Sequence, residues 1–351
     1  MKNQNLTAIG YAMAAALFYA LNVPCSKLLL DHIVPTMMAA LLYLGAGIGV
    51  GIMYLFHYKH EHPEERLSKA DLPYTIGMVL LDILAPILLM LGIKSSTSSN
   101  ASLLGNFEIV ATTVIAFLLF REKVTRRLWS AIGLITLSSI VLTFEGSDSF
   151  QFSVGSLLVL GAANCWGLEN NCTRKISEKS TYQIVTIKGI FSGMGSLVTA
   201  LIAGEQLPEF RYIPAALVLG FVAYGLSIFT YIRAQKTLGA AKTSAYYAAA
   251  PFIGAFLSFV LVKESLSFQY LAALLIMIAG TVFVVRDTLC HAHTHTHTHT
   301  FTHTHDGTTH THTVTHSHTH AHYLTDEKHS HHHSTAELEK LLTEHHSGET
   351  I

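Results

Sequence analysis

Four charged side chains stand inside stretches that are otherwise apolar: Asp82, Glu108, Glu169 and Lys188. A carboxylate in mid-membrane costs about 3 kcal/mol on insertion scales. Each therefore needs a partner, an aqueous path or a function. Asp82 fits two readings, a carboxylate that binds a proton or a ligand, and a hydrogen-bonded strut between helices. Glu108 follows Asn106 and sits one turn before Thr112. That grouping suits a carboxylate loaded and unloaded by a coupling ion. Glu169 lies beside Asn170 near the end of its stretch, as a ligand group or as a rim carboxylate paired with Arg174. Lys188 either snorkels to the interface, meets an anionic ligand, or pairs with Asp82 or Glu108.

The elements that carry these groups follow from composition. The chain has 351 residues, 50% hydrophobic and only 13% charged, against about 25% charged in an average soluble domain. A helix needs about 20 apolar residues to cross the hydrocarbon. Ten stretches qualify: 6–28, 34–56, 72–93, 100–120, 128–144, 154–173, 182–203, 212–232, 243–262 and 267–285. The expected fold is an all-α integral membrane protein of ten transmembrane helices in the lipid bilayer. A formal net charge of −1 gives no basic field for nucleic acid. No G-x-x-x-x-G-K-[ST] loop marks a nucleotide-driven pump, and no nucleophile or metal constellation marks an enzyme.

The chain is internally duplicated. ALNVPCSK (20–27) matches GLENNCTR (167–174), and FREKVT (120–125) matches VKESLS (262–267). The offsets are 147 and 142 residues, so Asn22 corresponds to Glu169, and Asp82 to about Tyr224. Five stretches per half make the second half enter the membrane inverted. With a cytoplasmic N-terminus, fifteen Lys and Arg fall on inner segments and four on outer ones, as the positive-inside rule requires. Both termini are expected in the cytoplasm, in a plasma or inner cell membrane. The expected units are 1–145 and 146–286, two five-helix repeats, and 287–351, a tail.

The segment AKTSAYYAAAPFIGAFLSFVLVKESLSFQYLAALLIMIAG (241–280) and its echo at 100–135 resemble the EamA family of the drug/metabolite transporter superfamily. The first half departs from the pattern in one place, with Ile109 where Pro251 would align. The resemblance implies transport, with the solute unspecified. Pro251 removes one helix bond and is a candidate hinge. Tyr246 and Tyr247 open the same stretch, as interfacial aromatics or as solute contacts. Five glycines, Gly105, Gly167, Gly193, Gly195 and Gly254, are read as packing positions.

Residues 291–346 hold 19 of the 23 histidines. A polar segment without an apolar face is expected to be disordered. His291, His293, His295, His297, His299, His303 and His305 are candidate weak ligands for Zn, Ni, Co or Cu, although no cofactor is required. His57, His60 and His62 lie in the 57–71 connection. Ser334 and Glu337 form a capping-box pattern, which predicts a short helix at 335–344.

Inverted halves usually build alternating access about a shared midplane site. The leading expectation is a secondary transporter of a small organic metabolite, amino-acid-like or drug-like, with ion coupling. The alternatives are a divalent transition-metal transporter and a membrane metal or pH sensor using the tail. Homodimerisation stays open.

Overall fold

A computed structural model describes residues 2–61, 63–121, 124–145, 151–176, 178–238, 243, 246–305 and 308–323. Met1–Asp287 form one unit and Thr288–Ile351 a second.

The first unit is built of helices. α1 (Lys2–Ala20) and α2 (Asn22–Leu29) are two parts of one apolar stretch. α3 (Pro35–His57) and α4 (Leu72–Ser95) follow. α5 (Ser98–Leu104) and α6 (Phe107–Phe120) again divide one stretch, with a turn at Gly105–Asn106. α7 (Arg126–Thr143), α8 (Val154–Lys175) and α9 (Thr181–Ile202) come next. α10 (Ile213–Gly220) runs through a π-helical segment, Phe221–Leu226, into α11 (Ser227–Leu238). α12 (Ala250–Leu261) and α13 (Phe268–Leu289) complete the unit. A two-residue ladder joins β1 (Phe144–Glu145) to β2 (Gln151–Phe152).

Among the described residues, seven helices are long and apolar enough to cross a membrane. α7, α8 and α12 fall outside that set. α8 carries Asn164, Glu169, Asn170 and Asn171, and α12 is only 12 residues long. The ten expected stretches all carry helix, but length and apolarity alone support seven as spans.

Packing follows the duplication. α3 packs on α9, α4 on α8, α1 on α11, and α5 on α12. The α3–α9 contact is backbone on backbone. A Cβ at Gly189 would lie 2.4 Å from the Gly47 Cα and 2.8 Å from the Tyr43 carbonyl oxygen. Only glycine permits that approach, and it fixes Lys188 beside the seam. Gly167 does the same for α8, where a Cβ would meet Ala111 at 2.5 Å. Gly193 presses on the Leu44 backbone in the same way, and Gly195 faces the Ile83 side chain.

Helix ends are held by charges of the sign the helix dipole favours. Glu264 accepts from Ser98 N at 2.6 Å and Ser99 N at 2.9 Å at the start of α5. Glu205 accepts from Met37 N at 2.9 Å at the start of α3. Lys27 Nζ donates to the Ile93 and Ser96 carbonyls at 2.6 Å each, where α4 ends. The 57–71 connection is also tied down, with Tyr54 donating to Glu61 Oε2 at 2.7 Å and Arg66 Nε 3.6 Å from the same oxygen.

Two expectations change here. Pro251 lies in the first turn of α12, where its missing N–H would have had no partner. The discontinuity comes just before it, at Ala248–Ala249, so Pro251 starts a helix rather than hinging one.

The second unit differs from the expected disorder. β3 (Cys290–His305) and β4 (Thr308–Tyr323) form an antiparallel hairpin. The strict His/Thr alternation explains this, because β-branched threonine favours strands and the period of two sorts the sequence onto two faces. A lone two-stranded hairpin is marginally stable in water, so the alternation supplies the strand form with little energy behind it. The helix expected at 335–344 lies outside the described residues.

Candidate functional site

Lys188 sits between two carboxylates. Its Nζ is 3.1 Å from Asp82 Oδ2 and 3.0 Å from Glu169 Oε1. Asp82 is 0% exposed and Glu169 2%, while the Lys188 side chain is 16% exposed. The three groups come from α4, α8 and α9, so the first half supplies one and the second half two. Tyr43 on α3 donates to Asp82 Oδ1 at 3.0 Å, and Trp166 Nε1 donates to the Tyr43 hydroxyl at 3.3 Å. Thr173 donates to Glu169 Oε1. A carboxylate buried in low dielectric is tolerable only when paired and hydrogen-bonded, and both of these are.

Glu108 forms a second, adjoining group. Asn170 Nδ2 donates to Glu108 Oε1 at 2.6 Å and lies 3.3 Å from Thr112 Oγ1. Asn171 Nδ2 reaches the Gly167 carbonyl at 2.8 Å and the Thr112 carbonyl at 3.2 Å. Glu108 and Asn170 are only partly covered. Asn106, at the α5–α6 turn, is buried at 2% exposure, and neither amide atom has a hydrogen-bond partner among the described residues.

Asn22 Nδ2 donates to the Tyr224 hydroxyl at 2.8 Å, and Asn22 Oδ1 accepts from Ser26 Oγ at 3.2 Å. Tyr224 belongs to a chain of rings. Its centroid is 5.2 Å from Tyr43 and 6.1 Å from Tyr19. Tyr19 is 5.8 Å from Tyr247, which is 5.2 Å from Tyr231.

The structure thus gathers Asp82, Glu169 and Lys188 in one cluster and Glu108 with Asn170 beside it. Asn22 and Tyr247 join the ring chain. Glu169 is buried rather than on a rim, because α8 lies flush against α6 and α4. Lys188 chooses Asp82 and Glu169, and it does not run to the interface. Tyr246 is 37% exposed and lies off the chain of rings. Tyr43 and Trp166 are additional members. The offsets of 142 to 147 residues would place the counterpart of Lys188 within 41–46, a window that contains Tyr43. Among the described residues, no three His, Cys, Asp or Glu side chains are grouped to hold a metal ion.

Similarity to known proteins agrees with this architecture. A crystal structure superposes with a TM-score of 0.58 at 16% identity, over 80% of this chain and 97% of its own, a likeness of fold alone. An uncharacterized transporter from Methanothermobacter thermautotrophicus is 27% identical over 293 residues, 78% of this chain and 84% of the relative. The uncharacterized transporter YyaM of Bacillus subtilis is 21% identical over 200 residues, 54% of this chain and 66% of the relative. The model of the EamA-like transporter family matches residues 6–144 and again 153–286. Those two segments meet at the short β1–β2 ladder, and each contributes to the Asp82–Lys188–Glu169 cluster. A multi-pass helical chain that matches this family model twice along its length belongs to the EamA-like transporter family.

Proposed function

We propose that the chain is a secondary transporter that moves a small organic solute, amino-acid-like or drug-like, across the cell membrane by alternating access with ion coupling. Ten crossings in two inverted halves, 1–145 and 146–286, would place both termini in the cytoplasm. Support comes from the reciprocal packing of α4 on α8 and α1 on α11, the pairing expected of halves related by a two-fold axis in the membrane plane.

One observation carries the reading. The buried Asp82–Lys188–Glu169 cluster is assembled from both halves. A static strut would need one pair. Two carboxylates that share one ammonium can trade it between them as the halves rock. The test is uptake by proteoliposomes, screened over amino acids, amines and drug-like solutes. For any solute the wild type carries, Asp82→Asn and Glu108→Gln should lower transport at least tenfold while the protein still inserts. Normal flux in both variants would remove these carboxylates from the mechanism.

A second reading concerns the tail. The hairpin register sets His291 opposite His322, His293 opposite His320, His295 opposite His318 and His297 opposite His316. Such pairs suit a divalent transition metal, so the tail would gather or buffer ions beside a transport unit that works without it.

A further inference from the structure

Building on the transport reading, we infer that the solute is an organic cation, an amine or quaternary ammonium on an apolar or aromatic body. The first ground is charge balance. Asp82, Glu108 and Glu169 stand in the helical interior against one ammonium, Lys188, which is engaged by Asp82 and Glu169. The partner of Glu108 is the neutral amide of Asn170. Uncompensated charge in low dielectric is costly, so the open side of Glu108 is completed by a proton or by a cationic ligand. An anionic solute would deepen the imbalance.

The second ground is a set of unpaired buried polar groups on the apolar stretch that carries Glu108. Pro24 has no N–H, so the Ala20 carbonyl loses the donor four residues on. That carbonyl faces Gly254, whose missing Cβ would lie 3.2 Å from it and 3.2 Å from Ser102 Oγ. Among the described residues, Ser102 Oγ is itself buried without a hydrogen-bond partner, and so is the Asn106 amide one turn further on, before Glu108. Buried polar groups seldom stay unpaired. The Ser102 hydroxyl and the Asn106 amide, on the stretch that carries Glu108, gain partners when a polar ligand arrives, and an ammonium donates to the hydroxyl and to the amide oxygen.

The third ground is aromatic. Tyr19 directly precedes Ala20 in α1, and Tyr247 lies just before the Ala248–Ala249 turn that leads into α12. Their rings touch each other, and Tyr224 touches Tyr19 and Tyr43. Ring faces attract cations, with a gain of about 0.5–2 kcal/mol that rises on desolvation. Acidic, polar and aromatic groups are therefore carried by spans that are already broken at Leu21, Gly105–Asn106 and Ala248–Ala249.

The test uses three probes of one shape: phenethylamine, 2-phenylethanol and 3-phenylpropionate. Binding to the full-length protein in nanodiscs is measured by titration calorimetry at neutral pH. The amine should bind at least tenfold more tightly than the other two. Glu108→Gln should weaken it at least tenfold, and the exposed Glu209→Gln should leave it unchanged. Glu108→Asp keeps the charge and should keep the preference for the amine, which separates recognition from a folding defect. Equal or tighter binding of the alcohol or the carboxylate, binding of none of the three, or an unchanged Glu108→Gln would overturn the inference. Proteoliposome flux of a neutral or anionic solute would overturn it while leaving transport standing. Absence of flux for every solute would sink both.

Discussion

The two halves meet in two equivalent places that carry opposite chemistry. On one side Glu169 of α8 and Asp82 of α4 are joined through Lys188. On the other, their sequence counterparts Asn22 and Tyr224 make a single neutral hydrogen bond of 2.8 Å. The same positions touch in both cases, so duplication preserved the geometry. The side chains diverged, leaving one junction ionic and the other neutral. A junction that must change partners during a cycle gains from charges that can trade places. A junction that only holds the scaffold does not.

The largest effect expected is at Lys188. Lys188→Met leaves Asp82 and Glu169 buried without a cation, and breaking a buried ion pair costs about 3–5 kcal/mol. Its thermal midpoint, followed by size-exclusion chromatography of heated samples, should fall well below that of wild type. Adding Asp82→Asn and Glu169→Gln to Lys188→Met should recover most of the midpoint and none of the transport. Recovery of transport as well would show the ionic junction to be scaffold.

Next comes the glycine seam beneath that junction. Gly189→Ala puts a methyl group against the Gly47 backbone, and overpacking of this kind costs about 1–3 kcal/mol. Because Lys188 is the preceding residue, transport should fall further than the melting point suggests. A variant with wild-type flux and stability would mean that α3 and α9 separate freely.

The neutral junction should be more tolerant. Tyr224→Phe removes the hydrogen bond from Asn22 and should cost about 1 kcal/mol. Transport should stay within a few-fold of wild type by proteoliposome uptake, whereas Asp82→Asn at the equivalent place should lower it at least tenfold. Equal losses at the two sites would erase the asymmetry. The smallest effect is expected from deleting residues 290–351. Flux should be unchanged, and Ni or Zn binding by calorimetry should disappear.

Much of the fold could be read from the sequence, because long apolar stretches and a 142-to-147-residue repeat are unambiguous patterns. Asp82 and Lys188 were legible for the same reason, as charges against an apolar background. Their pairing stood as one of several readings of Lys188, and the choice depends on the Gly47–Gly189 contact that sets the α9 position. Glu169 resembled a rim group because Arg174 and Lys175 follow it closely. Its burial comes from α8 lying against two other helices, which sequence neighbours do not reveal. Tyr43 carried no signal of its own among fourteen tyrosines. Pro251 was misread because the turn at Ala248–Ala249, which decides where α12 begins, is written in alanines with no breaker among them. In the tail, polarity argued for disorder, while the His/Thr alternation within the same residues favoured strands.

The central claim is that the cluster between the halves is reached from each side of the membrane in turn. A single cysteine at Asn170, in a protein lacking its four native cysteines, can be labelled with a membrane-impermeant thiol reagent in right-side-out and inside-out vesicles. Alternating access predicts labelling from both sides, with the rates shifting in opposite directions when a transported solute is added. Labelling from one side only, unaltered by any solute carried, would contradict it.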